Sequence, residues 1–375
     1  MWRHRKALTL LGAALTASLG AVGAGLPAAA AAPAAAATTT TYTITALGNL
    51  GYGVSDPSAI NASGQVTGLS DLSTSITYSC PTHYNPKRTC VYHPGHAFLY
   101  SNGTMTDLGT LGGSGLNNDS DGNAINRSGE VAGWADTATA GVIHAALWTG
   151  TTTVDLGALA PLSSGTYSIA DGINDFGQVV GYWAPSKSQV VTGMHPWLYS
   201  NGTMTSLPVP SDLTSPSCQP FAINNNGLII GSCVTNNGQT NHSVLWQNGT
   251  VTVLGTLGGL QVHDLTGINN NGQIVGWATT STGTTVGFLD SNGTVTDLGA
   301  FLPQAINDHG VMAGTELNGG AFIYSGGTVQ NLQNLIPANS GYTITEAFGI
   351  NDNGQIITQA SNATTSEAAV LLTPN

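Results

Sequence analysis

Charge is what this sequence has least of. Only 7% of its 375 residues are Asp, Glu, Lys or Arg, where an ordinary soluble domain has about 25%. Basic residues are scarcest: seven in all, three of them (Arg3, Arg5, Lys6) at the extreme N-terminus. That leaves Lys87, Arg88, Arg127 and Lys187 against 19 acids. A surface so short of cations excludes nucleic acid as a partner, because phosphate binding needs clustered Lys and Arg. Two arginines beyond the N-terminus also exclude a sialidase-like arginine cluster. The sequence has no H-E-x-x-H zinc helix, no Gly-x-Ser-x-Gly elbow and no phosphate-binding P-loop. Past residue 26 no apolar run reaches the roughly 20 residues that a bilayer demands.

What is abundant is glycine, 50 residues, with a hydrophobic fraction of 41%. Low charge, many glycines and frequent Val and Thr indicate short strands joined by tight turns. The first 37 residues read differently: a basic start, an apolar run over 7–26, then an Ala-rich stretch over 28–37 with small-residue cleavage sites. This has the pattern of a secretory signal peptide. The expectation is a secreted, monomeric domain over 38–375, and in that compartment four cysteines imply two disulfides.

One phrase recurs seven times: a small residue, Ile, Asn, two variable residues, usually Gly, then a β-branched pair. Its isoleucines are Ile60, Ile125, Ile173, Ile223, Ile268, Ile306 and Ile350. Their mean spacing, about 48 residues, is close to the blade length of a four-stranded propeller repeat. Within a repeat, strand a runs into Ile-Asn and a turn leads to strand b. A loop then precedes strand c, and a second turn, such as Asn102-Gly103 or Asn248-Gly249, leads to strand d; Asn-Gly suits two-residue hairpin turns that need φ > 0 twice. The seventh repeat lacks strand d, and residues 42–48 form a strand d with no repeat before it. The predicted fold is therefore an all-β, seven-bladed β-propeller of four-stranded blades, closed by its N-terminal strand. The b–c and d–a loops share one variable face, where function on repeat scaffolds concentrates. The largest insertion is the b–c loop over 71–95.

The phrases His96-Ala97-Phe98-Leu99-Tyr100, Asp107-Leu108-Gly109-Thr110-Leu111-Gly112-Gly113 and Ile268-Asn269-Asn270-Asn271-Gly272-Gln273-Ile274-Val275-Gly276 resemble the HAF repeat, an extracellular bacterial repeat family. The resemblance covers essentially the whole chain after the leader, although the His-Ala-Phe triplet decays to His144-Ala145-Ala146, His195-Pro196-Trp197 and His242-Ser243-Val244. It implies secretion and repeated β structure, and no activity or catalytic residue.

Cys80-Pro81-Thr82-His83 and Cys90-Val91-Tyr92-His93 offer two thiolates and two imidazoles for zinc, with His83 and His93 as weak metal candidates. The competing pairing is a Cys80–Cys90 disulfide, which secretion favours. Cys218 and Cys233 flank a hairpin symmetrically, which predicts a cross-strand disulfide. Five residues before the recurrent Asn stand Asp56, Asp121, Asp264 and Glu346, with Asp171 nearby. Carboxylates converging on the channel mouth suit Ca²⁺ or an acid/base pair for glycoside chemistry. Trp134, Trp183 and Trp277, near the variable ends of strand b, are candidate stacking platforms. His96, His144, His195 and His242 open strand c, too far from the axis to form a ring. The first expectation is a binding module without a cofactor, for a glycan, a cation or an extracellular protein. A polysaccharide hydrolase or lyase and a structural surface protein are the alternatives.

Overall fold

The computed structural model describes residues 40–81, 87–159, 167–189, 192–235, 240–317 and 319–375. The leader read over residues 1–37 lies outside the described residues. From Thr40 to Asn375 the chain is a β-propeller of short antiparallel strands, and among the described residues there is no helix beyond single 3₁₀ turns such as Lys187–Gln189. Among the described residues no helix is long and apolar enough to cross a membrane.

The first repeat illustrates the unit. Strands a (Gly51–Ile60), b (Val66–Leu72), c (Gly95–Ser101) and d (Thr104–Asp107) lie side by side in that order. The c–d turn has Asn102 at φ 49° and Gly103 at φ 81°, and the pairs at 201–202, 248–249 and 292–293 do the same. Each is the primed turn whose twist matches that of the flanking strands. The closing strand is where the sequence places it: Tyr42–Ala46 pairs antiparallel with Ala368–Pro374, Ile44 opposite Leu372.

Sheet by sheet, the count departs from the expected pattern. Five sheets of four or five strands stand as separate blades, but strands of the second and third repeats share one eight-stranded sheet. The cause is local: strand c Ile143–Thr149 meets the next strand a, Tyr167–Ile173, in one parallel bridge, Ile143 opposite Tyr167.

Among the described residues there is no single core. Buried side chains form clusters between neighbouring sheets. Phe98 and Val66 of the first repeat pack with Leu371 and Ile357 of the last, and Ile125 and Trp148 pack on Ala97. This burial is what holds the sheets face to face.

A recurrent glycine in strand b sets how closely strands a and b approach. A Cβ at Gly133 would lie 1.9 Å from the carbonyl oxygen of Asp121, and one at Gly276 would lie 2.0 Å from that of Asp264. The last repeat has Thr358 at this position, facing Ala347, with a fully buried hydroxyl that finds no hydrogen-bond partner. Thr358→Val keeps the shape and removes the orphaned group. It is expected to raise stability by about 1 kcal/mol, read as a higher denaturation midpoint at unchanged m-value.

Candidate functional site

The two ends of the propeller are built from different chemistry. At the a–b turns every recurrent asparagine closes its own turn and reaches the next repeat, and five of the seven also bond the Gln or Glu four residues on, Asn224 and Asn307 facing Leu228 and Val311 there instead. The Oδ1 of Asn269 accepts the N–H groups of Asn271 (3.1 Å) and Gln273 (2.9 Å), closing its own turn. Its Nδ2 donates to the Oε1 of Gln273 (2.7 Å). The same Nδ2 donates to the carbonyl of Asn307 in the next repeat (2.9 Å). The last bond recurs from repeat to repeat, Asn61 to Asn126, Asn174, Asn224, Asn269, Asn307 and Asn351, and Asn351 donates back to Asn61 at 3.0 Å. An Asx-type turn was expected; the bond to the next repeat was not. These asparagines and their isoleucines line a channel mouth of about 240 Å³. Each of the seven bonds there spends a donor on the neighbouring repeat, so this end serves closure.

The opposite, variable end carries most of the sequence candidates. The acids do not converge. Asp56 accepts a hydrogen bond from Gln359 of the last repeat, and Asp171 accepts one from Gln219 (3.2 Å). Asp121 is buried on strand a opposite Trp134. Glu346 is partly exposed on its own strand, opposite Gln359. Among the described residues, no three His, Cys, Asp or Glu side chains are grouped to hold a metal ion. The converging-carboxylate Ca²⁺ site is therefore not formed.

The cysteine–histidine zinc site fails as well. Cys80 and Cys90 are joined in a disulfide within a hairpin of Ile76–Ser79 and Thr89–Tyr92. His93 hydrogen-bonds the Leu72 carbonyl (3.2 Å) and stacks on Tyr52 with ring centres 3.6 Å apart. His83 lies outside the described residues. Cys218 and Cys233 are paired as predicted, opposite each other on strands a and b. Two disulfides fit an oxidising compartment.

Of the three tryptophans, Trp134 is 7% exposed and is core. Trp183 and Trp277 remain partly exposed. Trp183 stacks on the exposed His195 at 4.3 Å, and Trp277 on His263 at 5.1 Å. Burial lowers the pKa of both histidines, which keeps the stacked rings neutral near pH 7. His263 is fixed by its Nε2 contact with the Thr279 hydroxyl (2.5 Å). Beside it, Asp264 lies opposite Trp277. Burial pushes its pKa up to about 6, against the opposing pull of the Leu265 N–H and the Trp277 indole. Sequence reading missed His195 and His263 as stacking partners. The available signal was register, since His195 falls directly opposite Trp183.

His96 and His144 are structural. His96 Nδ1 contacts Asp107 at 2.8 Å and His144 Nδ1 contacts Asp155 at 2.8 Å, each tying strand c to the end of strand d. At His96, burial lowers the pKa, but the hydrogen bond and charge of Asp107 outweigh it and the net shift is upward. At Asp107, burial raises the pKa, while His96 and the Gly109 N–H bring it down overall. The His96 contribution is complete below its unfolded pKa near 6.5 and fades as pH rises through the folded value. The Asp107 contribution is complete above about 4 and fades on acidification. His96→Gln is therefore expected to lower the melting temperature most around pH 5–6 and least at pH 8 or above, measured by calorimetry across that range.

No family model matches the chain, and no curated protein matches it. Among solved structures, it is similar to the β-propeller domain of the Trilobed protease from Pyrococcus furiosus, described as having an open velcro topology. That match has a TM-score of 0.52 and 10% identity and covers 85% of this chain and 92% of that one. It is also similar to an acylaminoacyl peptidase from Pyrococcus horikoshii (TM-score 0.45, 10% identity, 85% and 50% covered). A gluconolactonase from Xanthomonas campestris gives a TM-score of 0.37 at 10% identity, with 72% and 96% covered. At such identities only the first likeness carries weight, and it shows the propeller fold alone.

Proposed function

We propose that the protein is a secreted glycan-binding propeller whose ligand lies on the variable-loop face. The observation that carries this reading is the pair of partly exposed tryptophans, Trp183 and Trp277, each held on a neutral histidine at the same end of the propeller. An indole face fixed by stacking presents apolar area at little entropic cost, which is what a sugar ring's C–H face requires. Asp264 beside Trp277 adds an acceptor for ligand hydroxyls. The eight-stranded sheet is read as two blades fused at one bridge, so that the ring has seven. The HAF-like phrases and the two disulfides support secretion.

The test is tryptophan fluorescence titration against a panel of neutral and acidic oligosaccharides. Trp183→Ala and Trp277→Ala are each expected to weaken binding about tenfold or more, beyond a modest fall in melting temperature from the lost packing. Unchanged affinity in both variants refutes the reading.

A second reading, glycoside chemistry, draws on Asp264 alone. A carboxyl titrating near pH 6 can donate a proton at mildly acidic pH. If it does, hydrolysis of the bound glycan falls off above pH 6 and disappears in Asp264→Asn.

A further inference from the structure

The glutamine four residues after the recurrent asparagine fills a fixed place between neighbouring repeats. In repeats one, five and seven its carbonyl oxygen accepts from the asparagine, and its amide donates to a hydroxyl at the end of strand c. Gln65 reaches Ser101 (3.2 Å), Gln273 reaches Ser291 (2.9 Å) and Gln355 reaches Thr373 (3.5 Å). The same amide lies against the turn glycine of the next repeat: a Cβ at Gly64 would stand 2.8 Å from Gln355 Oε1. In the sixth repeat Val311 takes the glutamine's place. A Cβ at the next turn glycine, Gly354, would meet Pro374 at 3.6 Å and no amide.

A cavity of about 300 Å³ opens there, between the sixth and seventh repeats at the a–b turn end. Polar groups that line it are left unpaired. Asn307 is 5% exposed, and its Nδ2 gives one hydrogen bond, to the Asn351 carbonyl (3.0 Å), where Asn269 gives two. Tyr42 is 3% exposed, and among the described residues its hydroxyl has no hydrogen-bond partner. Burial raises its pKa, so it stays protonated as a donor. Ser325 keeps the strand-c hydroxyl without an amide to meet it. Val311, Ile323 and Leu335 supply apolar wall.

We propose that this cavity binds the acetamido group of an N-acetylated amino sugar. The carbonyl accepts from Asn307 Nδ2 and the Tyr42 hydroxyl, the N–H donates to Ser325, and the methyl packs on the apolar wall. The sugar hydroxyls meet Thr328, Gln330 and Asp352, which also line the cavity. Its volume suits one sugar unit. The Asp352 carboxylate opposes an anionic ligand, which would have to leave water beside a like charge. The site is at the end opposite Trp183 and Trp277, goes beyond the variable-face reading and does not rest on it.

Saturation-transfer NMR on the mature protein, with N-acetylglucosamine, glucose and propionamide as separate probes, tests the proposal. N-acetylglucosamine is expected to bind with a Kd of about 1 mM, its methyl group the most saturated, and the other two at least about tenfold more weakly. Val311→Gln restores the side chain of the other repeats. It should abolish binding at an equal or higher melting temperature, since Asn307 regains its second acceptor. Tyr42→Phe should weaken binding about fivefold at an unchanged melting temperature.

Equal binding of glucose overturns the acetamido assignment, and equal binding of propionamide overturns the sugar in favour of a simple amide. Binding that survives Val311→Gln overturns the site. If that binding is lost in Trp183→Ala, the sugar lies on the variable face and the reading made there stands. Failure of N-acetylglucosamine to bind overturns the proposal and leaves the variable-face reading to its own variants.

Discussion

Replacing Asn269 by alanine is expected to cost about 3 kcal/mol or more of folding stability. The side chain is 4% exposed and makes four hydrogen bonds: two accepted from its own turn, one given to Gln273 and one given to Asn307 of the next repeat. Alanine strands two backbone N–H groups and a carbonyl in a buried place, at about 1–3 kcal/mol for each group that water cannot reach. The loss also falls on the bond that joins one repeat to the next.

Asn269→Asp separates the two roles. The acceptor for the turn survives, but a carboxylate now faces the Asn307 carbonyl and Gln273 Oε1, both acceptors. This variant is expected to be unstable at neutral pH and to recover partly on acidification, as protonation restores a donor and removes a buried charge. Urea unfolding followed by circular dichroism at pH 7 and pH 5 measures both variants. A loss below about 0.5 kcal/mol in Asn269→Ala would mean that the ring of asparagines closes nothing.

The second large effect is steric. Gly276→Ala places a methyl group 2.0 Å from the Asp264 carbonyl oxygen, with the Phe288 ring at 3.0 Å. Backbone on both strands would have to part. The expected cost is at the top of the 1–3 kcal/mol range for overpacking or beyond it, and poor soluble yield is the expected symptom. Gly249→Ala is the control. Its φ is +74° but its surroundings are open, so only backbone strain is at stake, about 1 kcal/mol. If both variants cost the same, the close approach of strands a and b is not what requires glycine at 276. Gly276→Ala also displaces Asp264 and Trp277, so glycan affinity is expected to fall with stability, whereas Gly249→Ala leaves affinity intact.

Much of the fold was legible before any coordinate. The Ile-Asn phrase returns because every repeat needs the same turn and the same approach of strand b to strand a. Asn-Gly marks turns where two successive residues take positive φ, and Asn102 and Gly103 do so. The orphan strand at 42–46 was readable because the last repeat is one strand short. The pairing of Cys218 with Cys233 followed from counting equal steps along two strands from one turn.

The candidate site was legible in its residue types and not in its geometry. Position on strand a puts Asp56, Asp171 and Asp264 at one end of the propeller, but their partners come from other strands or from repeats about 50 or about 300 residues away. The periodicity that reveals a repeat is blind to contacts between repeats. Trp134, Trp183 and Trp277 occupy similar sequence settings, yet one is buried and two are partly exposed. The fusion of two repeats into one sheet rests on a single bridge, which no local pattern encodes.

Composition, turn chemistry and a 48-residue rhythm determined by themselves that this chain forms a ring of short antiparallel strands, since those are properties of residues a few positions apart. Tertiary structure alone decided how the ring is tied, which tryptophans meet solvent, and that Tyr42 lines a cavity with Asn307. Those properties belong to residues brought together only when the first strand meets the last.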